Sequence, residues 1–253
     1  MNILAGFADI SLGQLVLVGG MALLASIIGG LAGYGTGALM PLVLVPLIGA
    51  EPVVPIIAIS AIITNISRFV AYFRYADRRR ALIVIGAAAL TTALGAYGYT
   101  RLTNAGAALV IGSMLMLSVP LRRFARKREI RIGDTGLGAS ALGYGVLVGG
   151  TSGSGVILLS LLMATGLEGA AVIATDAMIS VVTSLIKISV FGMAGVVTVQ
   201  VLAFALLIGA IAIPGAFLAK AFVERMPVHI HTAILDAAVM VGGVVMITAA
   251  LRH

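Results

Sequence analysis

Two cations stand inside apolar segments, each with polar side chains one turn before it. Arg68, in ISAIITNISRFVAYF, follows Thr64 and Asn65; Lys187, in ATDAMISVVTSLIKISVF, follows Thr183 and Ser184. At i to i+3 or i+4 such residues share one helix face. A cation flanked by amide or hydroxyl donors can line a site for an oxyanion, and the plainer alternative is a long side chain reaching for lipid headgroups. Two glycine-rich stretches offer a second kind of donor. GYGTGALMPL (33–42) and SGSGVILLSL (152–161) each interrupt an apolar run, and Thr36–Gly37 and Ser154–Gly155 open the short segments that follow. The first N–H groups of a helix and its positive dipole end suit an anion, whereas the simpler use of such glycines is close helix packing. Asp176 lies eleven residues before Lys187, on the same face but about 16 Å away along the axis, so the two are not a direct pair. Asp176 and Asp236 are the candidates for proton coupling, set against the duller role of pairing with a neighbouring helix.

The elements that must position these residues are membrane helices. Hydrophobic residues make up 61% of the chain and charged ones 10%, with a mean hydropathy of +1.19; no single aqueous core accommodates that composition. Apolar runs close to the roughly 20 residues needed to cross a bilayer recur throughout. They predict helices at 12–32, 37–48, 52–75, 80–100 and 104–121, then at 135–150, 154–165, 168–191, 199–223 and 228–251. The N-terminal stretch lacks a basic region and a small-residue cleavage site, so it reads as mature sequence. The absence of cysteine excludes disulfides, thiolate metal sites and a cysteine nucleophile.

The two sets of helices correspond in order. Thr36–Gly37 matches Ser154–Gly155 at an offset of 118, GAE (49–51) matches GLE (166–168), Phe73 matches Phe191, and GAY (95–97) matches GAF (215–217). This series indicates an internal duplication, with repeats at 1–121 and 135–253 joined by a basic loop at 122–134. Five crossings per repeat invert the second relative to the first, a pattern of secondary transporters. Charge agrees: ten of the sixteen Lys and Arg fall in RYADRRR (74–80) and RRFARKREIR (122–131), whereas GMAGVVTVQ (192–200), the counterpart of the first loop, has none. The positive-inside bias puts both basic loops in the cytoplasm and accounts for the net charge without nucleic acid. Tyr72, Tyr75, Tyr97 and Tyr99 are expected at the headgroup level. The segments 37–48 and 154–165 are too short to span comfortably and are expected to be half-helices or re-entrant segments, which are tolerated where they line a cavity.

Other chemistries find little support. No G-x-x-x-x-G-K-[ST] loop is present for ATP, and the Gly-Tyr-Gly lacks the repeated context of a potassium filter. Lys220 and Glu224 form an i, i+4 surface pair, and His229 and His231 read as solvated residues rather than metal ligands. No nucleophile-and-base pair supports the rival reading of a membrane-embedded enzyme, and the matched inward breaks count against a non-transporting scaffold.

The GGLAGYGTGALMPLVL entry, TNISRFVAYF with the RYADRRR loop, the central basic loop and GGTSGSGVILLSLLMATGLEGAAVIATDAMISVVTSLIKI together resemble the TauE/SafE sulfite exporter family of bacterial permeases over almost the whole chain. The resemblance implies proton-coupled secondary transport of small sulfur-containing or carboxylated anions, such as sulfite or organosulfonates, in the inner membrane. The expectation is an all-α polytopic permease of two inverted five-helix repeats, not an enzyme and without a cofactor. Its partners are a small anion and the bilayer, with a homodimer left open. Thr36, Gly37, Ser154 and Gly155 would supply helix-terminal amides, and Asn65, Arg68, Thr183 and Lys187 side-chain donors. Lys187 departs from the less basic helix common in the family's second half.

Overall fold

The computed structural model describes residues 3–32, 35–128, 131–223 and 228–251, with side chains left out at 30–32, 71, 122–128, 216–217, 219–223 and 228–239. Asp236, Lys220, Glu224, His229, His231 and the cations at 122–128 therefore lie outside the described residues. The described chain is all-helical: after a 3-10 turn at Ile3–Phe7, α1 spans Leu12–Ala32, α2 Thr36–Ile48, α3 Val53–Tyr72, α4 Arg78–Tyr99 and α5 Asn104–Arg128. Then follow α6 (Asp134–Gly150), α7 (Gly155–Ala164), α8 (Ala170–Met193), α9 (Val199–Val223) and α10 (Val228–Leu251). Each expected helix is present. The largest difference is at α5, expected to end at 121: it continues to Arg128, because LRRFARKR is rich in good helix formers, so the first part of the expected basic loop at 122–134 is helical. Helix α3 stops at Tyr72 and tightens into a 3-10 turn over Phe73–Tyr75.

Among the described residues five helices, α1, α3, α4, α5 and α8, are long and apolar enough to cross a membrane. The distribution of side chains suits lipid on the outside. Leu12, Val16, Leu82, Leu90 and Leu117 are exposed, while Asn65, Thr92, Asp176, Thr183 and Lys187 are buried. Apolar surface outward and polar groups inward is the arrangement a hydrocarbon solvent imposes. This is a polytopic membrane protein.

The most extensive helix pairings keep their places when α1–α5 are exchanged for α6–α10. Helix α4 packs on α6 as α9 packs on α1; α3 packs on α9 as α8 packs on α4; α2 meets α10 as α7 meets α5. The pairs α3 with α8 and α5 with α10 map onto themselves. Local details repeat as well. Helix α2 ends at Gly49 with φ of 83°, and α7 ends just before Gly166 with φ of 86°, left-handed positions that glycine adopts without a Cβ penalty. Gly95 lies against the α6 backbone at Val146, and its counterpart Gly215 lies against Ser26 of α1. The Phe73–Phe191 match does not extend to environment, since Phe73 is half-exposed and Phe191 fully buried.

Helices α4 and α6 approach closely because TTALGAYG meets GYGVLVGG. A Cβ on Gly145 would strike Thr91, and one on Gly149 would strike the Thr92 carbonyl, whereas Gly143 on the outer face meets nothing. Gly149→Leu should therefore lose at least about 2 kcal/mol through overpacking, and Gly143→Leu should be neutral. Melting of the two detergent-solubilised variants checks this, and equal melting temperatures would contradict the close approach.

One aromatic departs from its expected place. Tyr97 is exposed beneath the Arg101 guanidinium, 4.9 Å from the ring centroid, as a headgroup-level ring would be. Tyr99 is instead a core residue: it is 4% exposed, donates from its hydroxyl to the Ala50 carbonyl at 2.6 Å, and stacks edge-on against Phe191. A buried tyrosine needs a partner for its hydroxyl, and the irregular turn between α2 and α3 supplies one.

Candidate functional site

The two glycine-rich breaks meet. Gly37, in the first turn of α2, faces the backbone of Gly153, just before α7; a Cβ on Gly37 would lie 3.3 Å from the Gly153 nitrogen. The reason for the contact is in the sequence. Pro41 sits inside α2, and a proline has no N–H to offer the carbonyl four residues back. The Gly37 carbonyl is thus left without its helical partner, and the Ser152 hydroxyl from the other half donates to it. Gly153 makes the turn possible with φ of 86°.

Around this junction lies a cavity of about 130 Å³. It is smaller than the roughly 300–1,000 Å³ of pockets for drug-sized ligands, a size for a small ion. The starts of α2 and α7 form part of its wall, with Thr36, Gly37, Ser154 and Gly155 lining it. Their N-caps, Gly35 and Ser154, make no side-chain hydrogen bond to the helix, so the first-turn N–H groups are left without a side-chain cap. With 13 residues in α2 and 10 in α7, the helices run about 20 and 15 Å at the standard rise.

Helices α3 and α8, which cross between the two halves, supply the charged wall. Asn65, Arg68, Asp176, Thr183 and Lys187 all line the cavity. Arg68 Nη2 lies 3.3 Å from Asp176 Oδ2 and also donates to Asn65 Oδ1. Asp176 is 1% exposed, and its Oδ1 is buried without a hydrogen-bond partner among the described residues. Lys187 is 6% exposed and makes no hydrogen bond or ion pair among the described residues; it lines the cavity rather than the protein surface.

Several lining residues carried no signal in the sequence reading: Ser26, Tyr144, Thr151, Ser152 and Ser180. Ser152 stood inside the SGSG stretch, but at the repeat offset of 118 it falls opposite Tyr34, so the duplication did not single it out. Tyr144 had no comparable marker. The basic loop before α4 also does more than mark topology. Asp77 caps α4 by accepting from Arg80 N at 3.0 Å and pairs with Arg80 Nη1 at 2.7 Å. Arg80 Nη2 donates to the Thr165 carbonyl at the end of α7, and Asp77 N donates to Thr175 Oγ1 on α8. The loop thereby ties the first half to the second at one end of the cavity wall.

The sulfite exporter TauE/SafE family matches this chain over residues 18–246. The chain belongs to the TauE/SafE sulfite exporter family. That match spans both halves, the breaks and the charged helices, so the cavity belongs to a protein of a membrane transporter family. No curated protein and no solved structure matches the chain.

Proposed function

We propose that this TauE/SafE protein is a secondary permease of the bacterial inner membrane that exports small sulfur-containing oxyanions, such as sulfite or organosulfonates, with proton coupling. One observation carries the reading: the uncapped starts of α2 and α7, one from each half, converge with the polar faces of α3 and α8 on a single small cavity. Backbone irregularity at membrane depth has a use where it lines an ion pathway, and helix N-termini with adjacent cations suit an oxyanion. Thr36, Gly37, Ser154 and Gly155 present amides; Asn65, Arg68, Thr183 and Lys187 surround the anion. Asp176 is the proton-coupling group among the described residues. Its link to Arg68 couples the two ions, since a proton on Asp176 removes the negative charge beside Arg68 and favours an incoming anion, and Asp236 keeps its candidacy from sequence alone. Alternating access follows as movement of one half against the other about the interface between α3 and α8.

The test is transport by purified protein in liposomes, using labelled sulfite and methanesulfonate with and without an imposed pH gradient. Saturable anion flux that responds to the gradient is expected; liposomes no leakier than protein-free controls would contradict the reading. Inversion of the repeats has its own check in this cysteine-free chain. Single cysteines in 192–198 should react with an impermeant reagent from outside, and those in 122–131 only after the cytoplasmic face is opened. Labelling of both loops from one side would rule out inversion.

A further inference from the structure

Among the described residues three charged ones line the cavity, Arg68, Asp176 and Lys187, and they are not equivalent. Arg68 has a carboxylate within 3.3 Å. Lys187 is more deeply buried than Arg68 but has no acidic partner among the described residues. The internal duplication shows what is missing. Arg68 and Lys187 occupy near-equivalent places, offset by 119 residues on the self-paired helices α3 and α8. At that offset the acid beside the first half's cation, Asp176, corresponds to Ile57, and at the offset of 118 to Ala58; both are buried and apolar. One cation of the pair kept a built-in counter-ion, and the other has none among the described residues.

Buried charges in proteins are paired, because an uncompensated charge out of water is costly. Building on the anion-permease reading, we infer that Lys187 is the residue whose counter-ion is the substrate, and that the site is selective for a singly charged oxyanion of the sulfonate or hydrogensulfite type. Arg68, held by Asp176 and Asn65, acts as a fixed donor that orients the anion's oxygens. The described lining charges leave one positive charge to balance, so a monoanion neutralises the cavity and a dianion overfills it. Specificity then arises from a charge mismatch against the wrong ligand as much as from contacts to the right one.

Binding to the purified full-length protein tests this with two tetrahedral anions whose charges are constant near neutral pH, methanesulfonate and sulfate. Methanesulfonate should bind at least tenfold more tightly than sulfate. Asp176→Asn raises the cavity by one positive charge and should move that ratio at least tenfold toward sulfate. Lys187→Met should lose methanesulfonate binding by tenfold or more, while Lys187→Arg, with the charge retained, should keep most of it. Sulfate binding as tightly as methanesulfonate in the unaltered protein, or a folded Lys187→Met variant with undiminished affinity, would overturn the charge assignment while leaving anion transport standing. Binding of neither anion, together with no transport of sulfite, would instead overturn the permease reading itself. The unaltered protein's ratio and the Lys187 pair decide the matter even if Asp176→Asn does not fold.

Discussion

Arg68→Ala should give a protein that is both less stable and unable to bind an anion, and the second loss should be traceable to Asp176. Removing one partner of a buried ion pair strands the other charge, at a cost of about 3–5 kcal/mol. Asp176 is 1% exposed and already has one oxygen without a partner, so it has little else to turn to. A stranded carboxylate also cancels the positive charge of Lys187 and repels an incoming anion. The double variant Arg68→Met/Asp176→Asn should therefore recover most of the lost stability, because the stranded charge is gone. Arg68→Lys should rescue partly, keeping the charge but not the planar guanidinium whose Nη2 donates to both Asn65 and Asp176. Melting temperatures and anion titrations on these three variants measure both effects. Full stability in Arg68→Ala, or no recovery in a folded double variant, would contradict the pairing as the source of the effect.

Gly153→Val should abolish transport, and the matched substitution Gly166→Val should not. Both glycines have φ of 86°, so a β-branched residue at either suffers similar backbone strain, about 1–3 kcal/mol. Their surroundings differ. A Cβ at Gly153 would come within 2.9 Å of the Leu115 side chain and within 3.6 Å of the Gly37 carbonyl, whereas Gly166 has open space. The strain common to both should appear as similar losses in melting temperature. The additional crowding at Gly153, against Leu115 and with the branched methyls beside the Gly37 carbonyl, falls at the junction of the two helix starts and should appear in transport. Equal transport by the two variants would show that the junction of the breaks is not needed.

The order and type of the helices were legible because a hydrocarbon solvent leaves only one way to satisfy the backbone in a continuous apolar run. The duplication was legible from small residues such as Gly49 and Gly166, whose shared left-handed backbone explains why both are glycine. Arg68 and Lys187 were legible because a charge inside an apolar helix stands out. What linked Arg68 to Asp176 was not: the residues are 108 positions apart, and only the crossing of α3 with α8 brings them together. Tyr99 was misplaced for a related reason. An aromatic near a helix end suits the headgroup zone by composition, but its hydroxyl is used by Ala50, part of a turn whose location in space no local pattern reveals. Pro41 is the instructive middle case, since the orphaned Gly37 carbonyl follows from sequence while its partner Ser152 does not.

The central claim is that the anion sits between α3 and α8 at the starts of α2 and α7. Thr183, buried on α8 and lining the cavity, can be replaced by cysteine in a chain that has no other. Labelling of Thr183→Cys by a small charged thiol reagent, in a variant shown to transport, should slow at least tenfold at saturating methanesulfonate, with half-protection at the concentration that half-saturates transport. An unchanged labelling rate while the same protein carries the anion would place the transport path elsewhere.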